Sequence, residues 1–306
     1  MVQILLVGLG AGAAAALLFA SLVSGSIAAI LLFYLAPLPI LIAALGWSHL
    51  AGLVAAGTAV AVVAILSGAF FIAVPVIAFG AWWLGYLALL ARPSANGSAE
   101  QLEWYPIGRL VLWAAVIGTL VVAAAVPNFG TDRESLEAGL RKNYERILSD
   151  QSVIDLLVVA VPPAAAVFST ITNLINLWLA ARIVSVSGRL KRPWPDLAGW
   201  TLPPAASSGL LAGAMAGTLL PGLIGVLSSA FAASLLMAFA ILGFAVMHAI
   251  TRGLGSRTVV LAGTYAAAVV IGWPVLLMSV LGLVDTVFNI RGRIARKRGP
   301  PNLPTS

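Results

Sequence analysis

Apolar residues run along this chain in long unbroken blocks rather than in alternation. No Lys, Arg, Asp or Glu occurs before Arg92. A helix that crosses a bilayer needs about 20 apolar residues, and the charge-free block has room for four, near 3–23, 27–46, 50–68 and 70–91. Ser24-Gly25-Ser26, Gly46-Trp47-Ser48-His49 and Ser67-Gly68 read as the turns between them. A fifth segment, 109–126, stops at the breaker Pro127-Asn128-Phe129-Gly130. Others follow at 153–181, with Pro162-Pro163 early in it, and at 207–226, 229–250 and 257–288. A membrane barrel would alternate apolar and polar positions, and peptide groups in lipid must be bonded within their own segment. The expected fold is therefore all-α, a polytopic transmembrane helical bundle forming one integral membrane domain over 1–290.

Two stretches depart from this pattern. In 131–150 charges surround Leu136, Leu140, Tyr144 and Ile147 at helical intervals, and Thr131 and Glu134 have capping-box spacing. This predicts one short amphipathic helix on the membrane surface or on the protein. From Arg291 the chain becomes basic and then Pro-rich, which predicts a disordered cytoplasmic tail over 291–306.

Charge sets the orientation. The chain is 61% hydrophobic and 9% charged, against about 25% charged for a soluble domain. Its net charge of +7 comes from 17 basic residues that sit in loops and near the C-terminus. Topology control and contact with anionic lipid headgroups explain them better than nucleic acid does. Arg92 and Arg109, then Arg182, Arg189, Lys191 and Arg192, then the tail, all fall on one side, which predicts both termini in the cytoplasm. A plain count gives nine spans, which is odd, whereas two cytoplasmic ends need an even number. Either 207–226 is re-entrant or broken at Pro221-Gly222, or 257–288 splits at Gly272-Trp273-Pro274. Eight to ten spans are expected. The start lacks the basic n-region of a secretory signal, so the first segment reads as a retained span.

Candidate chemistry is sparse. With no cysteine, disulfides and thiol catalysis are excluded, and the two widely separated histidines make a metal site unexpected. No nucleotide-binding, metalloprotease or serine-hydrolase motif occurs, and neither enzymatic activity nor a cofactor is expected. Polar residues inside lipid are functional candidates by default. Ser169, Thr172, Asn173 and Asn176 share one helical face and form a tentative small-solute site, to which His248 and Asp285 are added. Asp155 and Asp285 lie near segment ends, where pairing or anchoring is the plainer role. Gly8, Gly12, Ala16 and Ala20 form a stripe of small residues, as do Gly209, Gly213 and Gly217. Ordinary packing within the chain accounts for both before docking on another membrane protein does. The loop around Arg189, Arg192 and Trp194 is a candidate contact surface for cytoplasmic proteins.

Several short motifs recur in order: Trp104-Tyr105-Pro106-Ile107-Gly108-Arg109; Ser187-Gly188-Arg189 leading to Arg192-Pro193-Trp194-Pro195-Asp196; Leu202-Pro203; Gly243 to His248 with Arg257 and Tyr265; and Gly282-Leu283-Val284-Asp285 with Arg291 and Arg293. Together they resemble the YybS-like family of bacterial membrane proteins, a domain of unknown function, in its alphaproteobacterial form. The resemblance implies a multi-pass protein of the bacterial inner membrane. That family is in turn distantly similar to the substrate-binding components of energy-coupling-factor transporters, which dock on a partner through a small-residue helix; Gly8, Gly12, Ala16 and Ala20 match that part. Two functions are therefore expected as alternatives. One is transporter-like binding of a small molecule of unknown identity. The other is a non-transporting scaffold or assembly partner.

Overall fold

The computed structural model describes residues 1–67, 72–94 and 102–298. Helices dominate. They are α1 (Val2–Ala20), α2 (Ile27–Tyr34), α3 (Pro37–Gly46), α4 (His49–Ser67), α5 (Ala73–Ala88), α6 (Ile107–Ala125), α7 (Arg133–Tyr144), α8 (Gln151–Val186), α9 (Ala205–Leu219), α10 (Gly222–Ile250), α11 (Arg257–Val270), α12 (Pro274–Phe288) and α13 (Ile290–Arg298). Among the described residues, six segments are long and apolar enough to cross a membrane: α1 with its following turn, α2–α3 together, α4, α6, α8 and α10. Four shorter apolar helices, α5, α9, α11 and α12, accompany them. The chain is a membrane-embedded helical protein. The expected turn at Ser67-Gly68 lies partly outside the described residues.

The structure corrects several expectations. The segment 27–46 is not one helix. Pro37 has no N–H to bond the carbonyl four residues back, and the ladder breaks at Leu35-Ala36. The loop 91–104 holds a two-stranded antiparallel ribbon, Ala91–Pro93 against Leu102–Trp104, tied by an Arg92–Glu103 ion pair of 2.8 Å. The amphipathic helix is capped by Asp132 and Ser135, one residue along from the expected pair. It buries Leu136 and Leu140 against Ile154 and Val158, whereas Ile147 lies beyond its end and is exposed. Arg141 pairs with Asp155 at 2.6 Å and ties this helix to the start of α8. The basic run expected as a disordered tail is helical through Arg298, and 299–306 lie outside the described residues.

Both sequence-level breakpoints are real. Helix α9 ends before Leu220-Pro221, and the segment 257–288 splits at Gly272, whose φ of +81° only glycine adopts cheaply. The two arms α11 and α12 are each about 21–23 Å long by helical rise, short of the roughly 30 Å hydrocarbon core. They leave and return to the same end of the bundle, because Asn289 and Arg291 lie beside Ala249 and Arg252.

Small residues set the helix spacing. A Cβ on Gly12 would lie 2.5 Å from the Ala55 carbonyl oxygen, so α1 and α4 touch backbone to backbone. Gly282 packs against the Phe239 carbonyl and joins α12 to α10 in the same way. The second stripe, Gly209, Gly213 and Gly217, faces Leu235, Phe231 and Ser229 of α10. Ala16 is fully buried within the bundle, and Ala20 is half-buried.

One end of the bundle is rich in tryptophan. The Trp82 indole donates to the His49 carbonyl at 3.0 Å, Trp83 meets Trp113 edge-on at 5.4 Å, and Trp113 donates to the Tyr105 hydroxyl. Trp178, Trp194 and Trp200 gather around Ala88 at that same end. Trp47 meets Arg189 beside Gly46 and Trp104 pairs with Ala91 near that end, whereas Trp273, at the α11–α12 turn, stands apart.

The C-terminal helices are locked to that end by a buried ion pair. Asp285 is 4% exposed and accepts from Arg291 Nε at 2.9 Å and from its backbone N–H at 3.0 Å. The remaining guanidinium nitrogens donate to the Ala198 and Trp200 carbonyls at 2.7 and 2.9 Å. Removing one member of a buried pair strands the other. Asp285→Ala is expected to destabilise the protein by about 3–5 kcal/mol, measured by thermal unfolding in mild detergent. An unchanged midpoint would mean the clasp is dispensable.

Candidate functional site

The polar face of α8 divides into two environments. Prolines 162 and 163 enter the helix without N–H donors and remove two ladder bonds one turn before this face. Beyond them, Ser169, Thr172 and Asn173 line a cavity of about 390 Å³ with Phe33, Tyr34 and Val121. Its walls are mainly apolar. Phe168 at its edge is 60% exposed, so the cavity opens sideways, toward the lipid-facing surface.

Asn173 is 3% exposed, and its side-chain Nδ2 has no hydrogen-bond partner among the described residues. A buried amide hydrogen without an acceptor costs free energy, typically about 1–3 kcal/mol. Asn173 therefore presents an unused donor beside an open space.

Asn176, one turn on, does something different. Its Nδ2 donates to the Tyr34 carbonyl at 2.8 Å and to the Thr172 carbonyl at 2.9 Å. Tyr34 closes α2 at the Leu35-Ala36 break. The N–H that would normally bond its carbonyl belongs to Leu38, which bonds Leu35 instead. Asn176 thus repairs the break from across the helix interface, while its own Oδ1 has no partner among the described residues. The site therefore sits beside an interrupted helix and near the middle of α8.

The other sequence candidates lie elsewhere. Asp285 is consumed by Arg291, outside this cavity. His248 Nε2 and the Tyr265 hydroxyl share a hydrogen bond of 2.9 Å, and Tyr265 stacks on Phe244 at 5.0 Å. This contact holds α11 to α10. Arg189 turns inward, donating to the Gly46 carbonyl at 3.0 Å and lying 4.2 Å over the Trp47 ring. Arg192 reaches the Ala88 carbonyl, and Arg182 covers Trp194 at 5.2 Å. No group of His, Asp and Glu suited to a metal ion occurs among the described residues. Sequence reasoning missed Tyr34 and Phe33 as wall residues. The only signal was Pro37 inside an apolar block. The chain matches no protein-family model, curated protein or solved structure.

The two asparagines should separate by stability. Asn176→Leu leaves the Tyr34 carbonyl unbonded in an apolar setting and is expected to cost about 1–3 kcal/mol. Asn173→Leu removes an unpaired donor and should be neutral or stabilising in the free protein. Unfolding midpoints of the two variants in detergent check this, and equal losses would refute the division.

Proposed function

We propose that this protein is a transporter-like binder of a small, largely apolar solute that carries one hydrogen-bond acceptor. The observation behind this reading is the unpartnered Asn173 amide facing a mostly apolar cavity beside a broken helix. Interrupted helices with mid-membrane polar groups are where membrane transporters hold their substrates. Pocket chemistry narrows the solute. Asn173 supplies a donor, Ser169 and Thr172 supply hydroxyls, and the remaining wall favours hydrocarbon or an aromatic ring. The sideways opening at Phe168 suits entry from the bilayer. A panel of vitamins, isoprenoids and aromatic metabolites is expected to contain a compound that raises the thermal midpoint of the wild type. Asn173→Leu should weaken that compound about tenfold, the value of one buried hydrogen bond. A panel without any stabilising compound counts against the reading.

The same reading places the protein in the bacterial inner membrane with eight crossings and both ends in the cytoplasm. The long segments supply six crossings, and α5 and α9 supply two more. The pair α11–α12 enters and leaves on one side. What supports this count is that Gly46, Ala88, Ala198 and Arg291 share one end, together with most of the loop arginines. Reporter tags at both termini and in the loop 187–200 should give the same cytoplasmic signal. A terminal tag reporting from the opposite side would overturn it.

Kinship with the YybS-like family belongs to this proposal too. Motif residues far apart in sequence meet in space. Gly108 packs on the Thr201 carbonyl beside Leu202, and Arg291 joins Asp285 to Ala198 and Trp200.

A further inference from the structure

A second cavity, which shares no lining residue with the one at Asn173, lies beneath the loop that follows α8. It measures about 230 Å³. Val111, Leu177, Trp178 and Ile241, from three helices, form its floor, and Trp194 and Trp200 close it above. Arg192 stands at its wall. The guanidinium is half-buried, and burial pushes its pKa below the ordinary arginine value. Arginine nevertheless stays charged in proteins. Its protein hydrogen bond is a long one, 3.3 Å from Nη1 to the Ala88 carbonyl. None of the ion pairs among the described residues involves it. The nearest loop carboxylate, Asp196, pairs with Arg252 instead. A partly desolvated cation that retains donors and lacks a counter-charge is costly unless an anion joins it.

The surroundings say what kind of anion. The floor is apolar, and Trp178 on its rim is 49% exposed on the outer surface of α8. Tryptophan is enriched at the level of the lipid headgroups, and Trp178 lies about two turns before the end of α8. Arg182, exposed beside Trp194, adds positive charge at that level. A groove with an apolar floor open to the bilayer and a cation at headgroup depth fits a molecule with one acyl chain and one phosphate. We infer that this groove holds an acyl chain of a single anionic phospholipid from the leaflet on the arginine-rich side, with its phosphate at Arg192. The site stands independently of the Asn173 cavity.

The test uses the full chain in mild detergent. Native mass spectrometry should find a phospholipid retained on the wild type, with phosphatidylglycerol preferred over phosphatidylcholine when the two are added in equal amounts. Arg192→Gln should weaken phosphatidylglycerol roughly tenfold, as expected for loss of a charge-assisted contact. Lys191→Gln, on an exposed neighbour, should leave it unchanged. Ile241→Phe fills the groove from α10 and keeps the charge, so it should expel the lipid even if Arg192→Gln fails to fold. Equal retention of the two lipids by the wild type, equal loss in the Lys191 variant, or full retention in the Ile241 variant would each overturn the assignment. So would recovery of free fatty acid in place of phospholipid.

Discussion

Apolar surroundings leave a peptide group no partner for its hydrogen bond except the protein itself. This chain nonetheless interrupts its helices within apolar stretches of sequence. At Leu35-Ala36 the orphaned Tyr34 carbonyl is taken up by Asn176 from α8. At Leu220-Pro221 the backbone is pressed against Gly225, where a side chain would collide with the Leu220 carbonyl. At Gly272 the turn is reached through a backbone region closed to most residues. The first break has the widest consequence. Its repair fixes α2 and α3 against the middle of α8, and the cavity exists because those elements meet there without filling the space between them.

The second organising force is charge. Carboxylates are rare here, and their main duties are structural. Asp285 holds Arg291, Asp155 holds Arg141, and Asp132 caps the surface helix. The apolar core needs no such pairs, since its helices approach through Gly and Ala until backbones touch. The pairs instead fasten loops and terminal helices to the two ends of the bundle. Arg192 is the conspicuous departure, a guanidinium drawn inward that takes part in none of the ion pairs among the described residues.

Much of the architecture was legible from hydropathy, because a bilayer imposes one simple rule on segment length. Most long helices begin and end within a few residues of the expected positions, but α8 runs five residues further at its end and α10 starts seven residues earlier, at Gly222. The polar face of α8 was legible too, from the spacing of Ser169, Thr172, Asn173 and Asn176. What spacing could not reveal was how that face divides, since the partner of Asn176 is a backbone carbonyl 142 residues away. The break that creates that partner was hidden because Pro37 sits in an otherwise uninterrupted apolar block. Asp285 and Arg291 are six positions apart and invite pairing. Their further bonds to Ala198 and Trp200 are long-range and carry no sequence signature. The ribbon at 91–104 was missed because two three-residue strands are too short to show alternation.

The clustering of indoles at one end has an optical consequence. Most of the indoles from which this protein would emit lie at the end that carries Arg189, Arg192 and Arg291. A quencher confined to the leaflet at that end would darken most of the signal, whereas one confined to the opposite leaflet would reach Trp273 at most. The bundle therefore carries its own label of which way it faces in a vesicle, without any dye attached.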